Sequence, residues 1–166
     1  MMEAAPFFAT KPNLQMTTFS TSRVLDAPAE TIYQAICEPE RLARWWGPNG
    51  FTNQFEVFDF RSGGRWVFDM VGPDGTRYAN TSVFAHIEAD RQVVIDHTCA
   101  PLFRLTITLT PEGDGTRVDW LQVFDDPAFA QAMKHILEPA NAQNLDRLAL
   151  ELGCIDENVL SLRPLS

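Results

Sequence analysis

Markers of specific chemistry are scarce in this chain. Its three cysteines, Cys37, Cys99 and Cys154, are too few and too irregularly spaced for a disulfide framework. None has a CxxC partner, so the thiols read as reduced and carry no zinc or redox motif. Basic residues are outnumbered, 13 Lys and Arg against 22 Asp and Glu, for a formal net charge of −9. That balance argues against nucleic acid as a partner, which would call for a concentrated basic surface. No apolar run is long enough to span a bilayer, and the first residues lack the basic-then-apolar order of a secretory leader. The expectation is a cytoplasmic protein without integral membrane association. There is no G-x-x-x-x-G-K-S/T, no G-x-G-x-x-G between strand and helix, and no HExxH. His86, His97 and His135 combine with no nearby cysteine into a ligand set, so neither metal nor cofactor is expected.

What the chain does have is bulk. In 166 residues it carries 45% hydrophobic residues, with four Trp and twelve Phe, enough for the core of one domain. Residues 1–16 lack sustained periodicity and read as an extension. Residues 17–153 read as the domain and 154–166 as a tail. Thr17 to Leu25 suits a first strand, and Asp26-Ala27-Pro28 ends it and starts a helix carrying Ile32, Ala35 and Ile36 inward. Pro39 opens a second short helix with Leu42, Trp45 and Trp46, closed by Gly47-Pro48-Asn49-Gly50, a turn or a mobile entrance. Strand alternation follows. Phe51, Phe55 and Val57 share one face, and Trp66, Phe68 and Met70 share another after the Ser62-Gly63-Gly64 turn. Gly72-Pro73-Asp74-Gly75 is a hairpin signal, and a strand from Arg77 to Ile87 should follow it. Val93 to His97 comes next. Phe103, Leu105, Ile107 and Leu109 then alternate with Arg104, Thr106 and Thr108. Beyond the Glu112-Gly113-Asp114-Gly115 turn, Val118, Trp120, Gln122 and Phe124 share a face that Gln122 interrupts.

The strands connect through tight turns instead of helical crossovers, which favours an antiparallel sheet. Its apolar partner is the terminal segment Pro127 to Leu152. Asp126 and Pro127 make an N-cap and a first-turn proline. Phe129, Met133, Ile136, Leu137, Ala140, Leu145, Leu148 and Leu152 form a stripe, with Lys134, Glu138, Arg147 and Glu151 on the wetter side. Pro139 should bend or split the segment into a short helix and a longer one.

From Asp26-Ala27-Pro28-Ala29-Glu30 through Arg44-Trp45-Trp46-Gly47-Pro48, the sequence resembles the activator-of-Hsp90-ATPase homologue-1-like family. The likeness continues through Phe60-Arg61-Ser62-Gly63-Gly64-Arg65-Trp66, Pro73-Asp74-Gly75 and Gly113-Asp114-Gly115-Thr116-Arg117-Val118, and covers roughly residues 18–152. This family sits within the START/Bet v 1-like (SRPBCC) group. The resemblance implies an α+β helix-grip fold. Two short helices follow the first strand, and a curved seven-stranded antiparallel sheet surrounds a long C-terminal helix, often leaving an internal cavity. The wider group includes hydrophobic-ligand carriers, aromatic cyclases, sensors and co-chaperone domains, so fold alone does not choose among them. Many relatives carry Gly-Trp shortly before the final leucine-rich turns, where this chain has Gln143-Asn144.

Given such a cavity, Trp45 and Trp46 are candidates for an aromatic rim, with Trp66, Phe68, Trp120 and Phe124 deeper. Each would equally build an ordinary core. Asp69, His97, Asp119 or Gln122 could orient a ligand if turned into the cavity, and Ala140, Asn144 and Leu148 could shape the roof. Asp96 and His97 point to opposite faces of a strand and cannot act as a catalytic pair. No nucleophile–base motif is present, so catalytic residues are not assigned. The expected function is binding or sensing of a hydrophobic small molecule or lipid. A cyclase-like enzyme acting on an aromatic or polyketide-like substrate, and a protein-interaction domain, are the alternatives. A homodimer through a sheet edge or the tail is a further expectation.

Overall fold

Alternation in the strands sorts the side chains onto two faces of one sheet, and the apolar face decides the architecture. The computed structural model describes residues 17–154. The expected extension and nearly all of the expected tail lie outside them. The chain runs β1 (Thr18–Leu25), α1 (Ala29–Cys37), α2 (Pro39–Trp45), β2 (Thr52–Phe58), β3 (Arg65–Val71), β4 (Arg77–Glu88), β5 (Gln92–His97), β6 (Phe103–Glu112), β7 (Gly115–Phe124) and α3 (Pro127–Glu151). The seven strands form one sheet in the order β1-β7-β6-β5-β4-β3-β2, antiparallel throughout. This curved sheet wraps the long terminal helix, with the two short helices after β1, as in a helix-grip fold. Among the described residues, no helix is long and apolar enough to cross a membrane.

Leu105, Ile107 and Leu109 of β6 are buried while Arg104 is exposed, and Ile107 pairs with Trp120 on β7. The gripping face is therefore continuous across strands. Between β2 and β3 the chain turns where only glycine serves at two successive positions. Gly63 has φ 88°, and a Cβ on Gly64 would collide with the Asp59 carbonyl oxygen.

In α1, Ile32, Ala35 and Ile36 are buried. Removing an isoleucine side chain from water contributes about 1.5–3 kcal/mol. Pro39 begins α2 at a position where its missing N–H costs nothing. Trp45 Nε1 donates to Ala35 O at 2.9 Å, tying α2 to α1. The four tryptophans then meet in the middle: Trp46 lies 5.6 Å from Trp45, 5.0 Å from Trp66 and 5.5 Å from Trp120, ring centre to ring centre. All four are buried.

α3 corrects three expectations. It runs unbroken for 25 residues through Pro139, not as a short helix and a longer one. Pro139 and His135, whose carbonyl loses its helical donor, are both exposed, so water can serve the freed group. The predicted stripe also divides. Leu145, Leu148 and Ala149 are fully buried, whereas Ile136 is 49% exposed, so the C-terminal half of α3 carries the main core contact. Arg147 and Glu151, expected on the wet side, instead join the packing against α2.

Candidate functional site

The open end of the grip is built by the end of β5, the 98–102 connection, the start of β6, the end of β7 and the first turn of α3. Asp126 fixes that turn, its side chain accepting from Ala128 N at 3.0 Å. The connection is closed by Asp125 N donating to Leu102 O at 3.0 Å. Against these elements lies a hollow of about 910 Å³, open to solvent, with Leu102, Phe103, Val123, Phe124 and Pro127 in its apolar lining and His97, Asp125 and, from the other face of the sheet, Asp96 and Arg104 among its polar groups. A neighbouring hollow of about 420 Å³ shares Leu102, Phe124 and Asp125 and adds Pro101 and Phe129. Leu102, which faces both, is 47% exposed.

His97 is the most constrained polar group of this end. Its Nδ1 is 2.7 Å from Pro101 O and its Nε2 is 2.7 Å from Asn80 Oδ1. Cys99 Sγ is 3.6 Å from Nε2. The ring stacks on Phe103 with centres 4.5 Å apart. Burial pushes the imidazole below its ordinary value, with the Pro101 carbonyl opposing that effect less strongly. The neighbouring Asp96 lies on the other face of β5 and is held by Arg104 at 2.6 Å.

The sequence-derived candidates do not come together in one place. His97 and Phe124 line the large cavity. Phe68 and Asp69 line a separate hollow of about 310 Å³ near the β2 edge, where Asp69 pairs with Arg77 at 3.0 Å. Trp45, Trp46, Trp66, Trp120 and Leu148 sit in the main core. Gln122, also buried, accepts from Asn141 Nδ2 at 3.0 Å, and Asn141 Oδ1 accepts from Trp120 Nε1 at 3.3 Å. Thus the polar break in β7 is matched by a polar residue on α3. Ala140 is half-buried on the same helix.

Asn144 belongs to a different device. Its Oδ1 accepts from Gly47 N at 3.2 Å and its Nδ2 donates to Trp45 O at 2.9 Å. Gln143 Oε1 accepts from Asn49 N at 3.1 Å. Arg147 donates to the carbonyls of Trp46, Gly47 and Pro48 through one terminal nitrogen and of Arg44 and Phe51 through the other. The 47–50 turn is therefore latched to α3, which favours the turn over the mobile entrance. Gln143 and Asn144 supply three of the latch contacts.

Sequence reasoning missed Asn80, Pro101, Leu102 and the latch role of Arg147. A connection without periodicity gives no sign that one of its carbonyls will meet a histidine. The spacing of His97 and Cys99, two apart at a strand end, was the one local signal available.

The helix-grip sheet and the long terminal helix place the molecule in the START/Bet v 1-like (SRPBCC) class. Within that class, the chain belongs to the family described as Activator of Hsp90 ATPase homolog 1-like protein, whose model matches residues 26–153. Among solved structures it is similar to a protein from Arthrobacter aurescens, 24% identical over 84% of this chain and 88% of that one, with TM-score 0.78. A protein from Chromobacterium violaceum is 25% identical over 80% and 95% of the two chains, with TM-score 0.72. An AHSA1-like protein from Aeromonas hydrophila is 19% identical over 90% and 99%, with TM-score 0.64. No significant match was found among curated proteins.

Proposed function

We propose that this protein binds a hydrophobic small molecule or lipid at the open end of the grip, between β5–β7 and the start of α3. The observation that carries this reading is the cavity of about 910 Å³ with its apolar lining and a neighbouring hollow of about 420 Å³. Its size falls at the upper end of the range typical of small-molecule sites, about 300–1,000 Å³. The packed tryptophans support the same location by filling the middle of the grip. Binding is favoured over a cyclase-like reaction because two of the polar groups lining the hollow are already engaged, Asp96 by Arg104 and His97 by the Pro101 carbonyl.

The neutral dye N-phenyl-1-naphthylamine tests the reading by its fluorescence on burial. The full chain should bind it saturably, and Leu102→Asp, at a half-exposed position, should weaken binding by about tenfold or more, since it exchanges apolar contact for a carboxylate against apolar walls. Equal binding by L102D, with its thermal unfolding unchanged, would sink the assignment. Native mass spectrometry after gentle purification adds the identity of any retained compound. A second reading, protein docking, is supported by the family description and by Leu102 at 47% and Ile136 at 49% exposure. It predicts a stable partner in a pull-down that L102D or Ile136→Asp disrupts, and no dye binding.

A further inference from the structure

The hydrogen bonds around His97 can be counted, and the count depends on one proton. Three contacts run in a chain: Pro101 O to Nδ1 at 2.7 Å, Nε2 to Asn80 Oδ1 at 2.7 Å, and Asn80 Nδ2 to Tyr78 O at 2.9 Å. Both ends are backbone carbonyls, which only accept. A neutral imidazole has one donor and one acceptor, and the amide has one donating and one accepting side. Whichever tautomer and whichever amide orientation is chosen, one of the three contacts sets acceptor against acceptor. An imidazolium satisfies all three. A neutral ring that donates from Nδ1 to Pro101 has a different partner for Nε2, the Cys99 thiol at 3.6 Å, which can donate a weak hydrogen bond.

We infer that gain of a proton on His97 Nε2 exchanges its partner from the Cys99 thiol to the Asn80 amide oxygen, tying the end of β5 to β4 and leaving the thiol to donate to Ala79 O at 3.9 Å, and so tunes the ligand cavity. The regulatory part rests on the small-molecule reading above. The coupling is short: His97 lines the larger cavity, Pro101 lines the smaller one, and Leu102 lines both.

The groups facing the ring are few. Cys99 is the titratable group in contact, Asn80 and the Phe103 ring are neutral, and Asp125 lines the same cavity. Asp96 and Arg104, on the other face of the sheet at the rim of the same hollow, pair with each other. On the α3 side, Asp126 is occupied by its cap contact with Ala128. Among the described residues no carboxylate is paired with the imidazole, so burial holds it neutral near pH 7 and the charged arrangement is reached on acidification.

Ring nitrogen NMR on the full chain follows the titration directly. Asn80→Ala removes an acceptor used only by the charged ring, so the midpoint should fall. Cys99→Ala removes a donor used only by the neutral ring, so the midpoint should rise. Each shift should be about half to one pH unit, the worth of one modest hydrogen bond. Shifts of the same sign, or none, overturn the exchange, since a merely structural role would not split the two variants. Asn80→Ser serves if N80A loses its fold. In the wild type, the amides of Thr98, Cys99, Ala100 and Leu102 should titrate with His97, and N-phenyl-1-naphthylamine affinity should change about threefold or more through the same midpoint. Affinity that stays flat there overturns the regulatory role. Absence of dye binding at every pH overturns the binding reading, while the opposite midpoint shifts still decide the exchange.

Discussion

Arg147 is where a single side chain holds most. Its guanidinium supplies donors to five carbonyls between Arg44 and Phe51. Burial pushes its ionisation down from the ordinary guanidinium value, but arginine stays charged at any working pH. Arg147→Met should destabilise the protein by about 2–4 kcal/mol in urea unfolding, because the carbonyls lose charged donors inside a half-buried turn. Arg147→Lys should recover only part, since one ammonium cannot reproduce the planar fork. Glu151 gives a pH test. Its hydrogen bond from Arg44, with a further one from Arg41, holds the carboxyl below its ordinary 4.5. A carboxylate with a lowered folded value contributes stability above its unfolded value and loses it as pH falls through the folded one. The deficit of Glu151→Gln in thermal unfolding should be present at pH 7 and shrink steadily below pH 4.5. His97 follows the same sign: its lowered value means stability is intact above the ordinary imidazole range and declines as acid forces a charge into the site.

The elements were legible where a pattern repeats along the chain. The alternation of Phe103, Leu105, Ile107 and Leu109 names β6 and its inward face without any partner in view. The family resemblance supplied the closure of the sheet around α3, and the observed order β1-β7-β6-β5-β4-β3-β2 agrees with it. Pro139 was misjudged because a sequence shows the lost N–H but not which way the freed carbonyl faces. That position is exposed, so propensity should dominate there: Pro139→Ala should raise stability by about 1–3 kcal/mol, measured by chemical denaturation. The open end was legible only in part. Phe124 could be placed with Val118 and Trp120 on one face by counting, whereas the mixed polarity of Val93 to His97 left the face of His97 open, and Leu102 and Pro101 lie in a connection that has no period to count. The latch had no sequence signature at all, because backbone carbonyls look alike in every sequence and nothing local ties Arg147 to a turn 100 residues earlier.

For the whole molecule, the surplus of acid bears on what enters the cavity. The net charge is −9, and Asp125 lies in both hollows while Asp126 lines the smaller. Neutral ligands should therefore bind more tightly than carboxylates of equal apolar area, and the difference should narrow as added salt shortens the screening length from about 30 Å at 0.01 M to about 8 Å at 0.15 M. Titrating a fatty alcohol and the matching fatty acid at the two salt concentrations checks this. Equal affinity for both at low salt would show that surface charge does not reach the site. The position of α3 has a consequence of another kind, during synthesis. The helix that the sheet grips is the last element of the domain to leave the ribosome. Until it does, Trp66, Phe84, Ile107 and Trp120 have no α3 to close over them, and the carbonyls of the 44–51 turn have no donor from Arg147. A nascent chain stopped at residue 126 should stay associated with holding chaperones or aggregate, and it should become protease-resistant only once Arg147 and Leu148 have emerged.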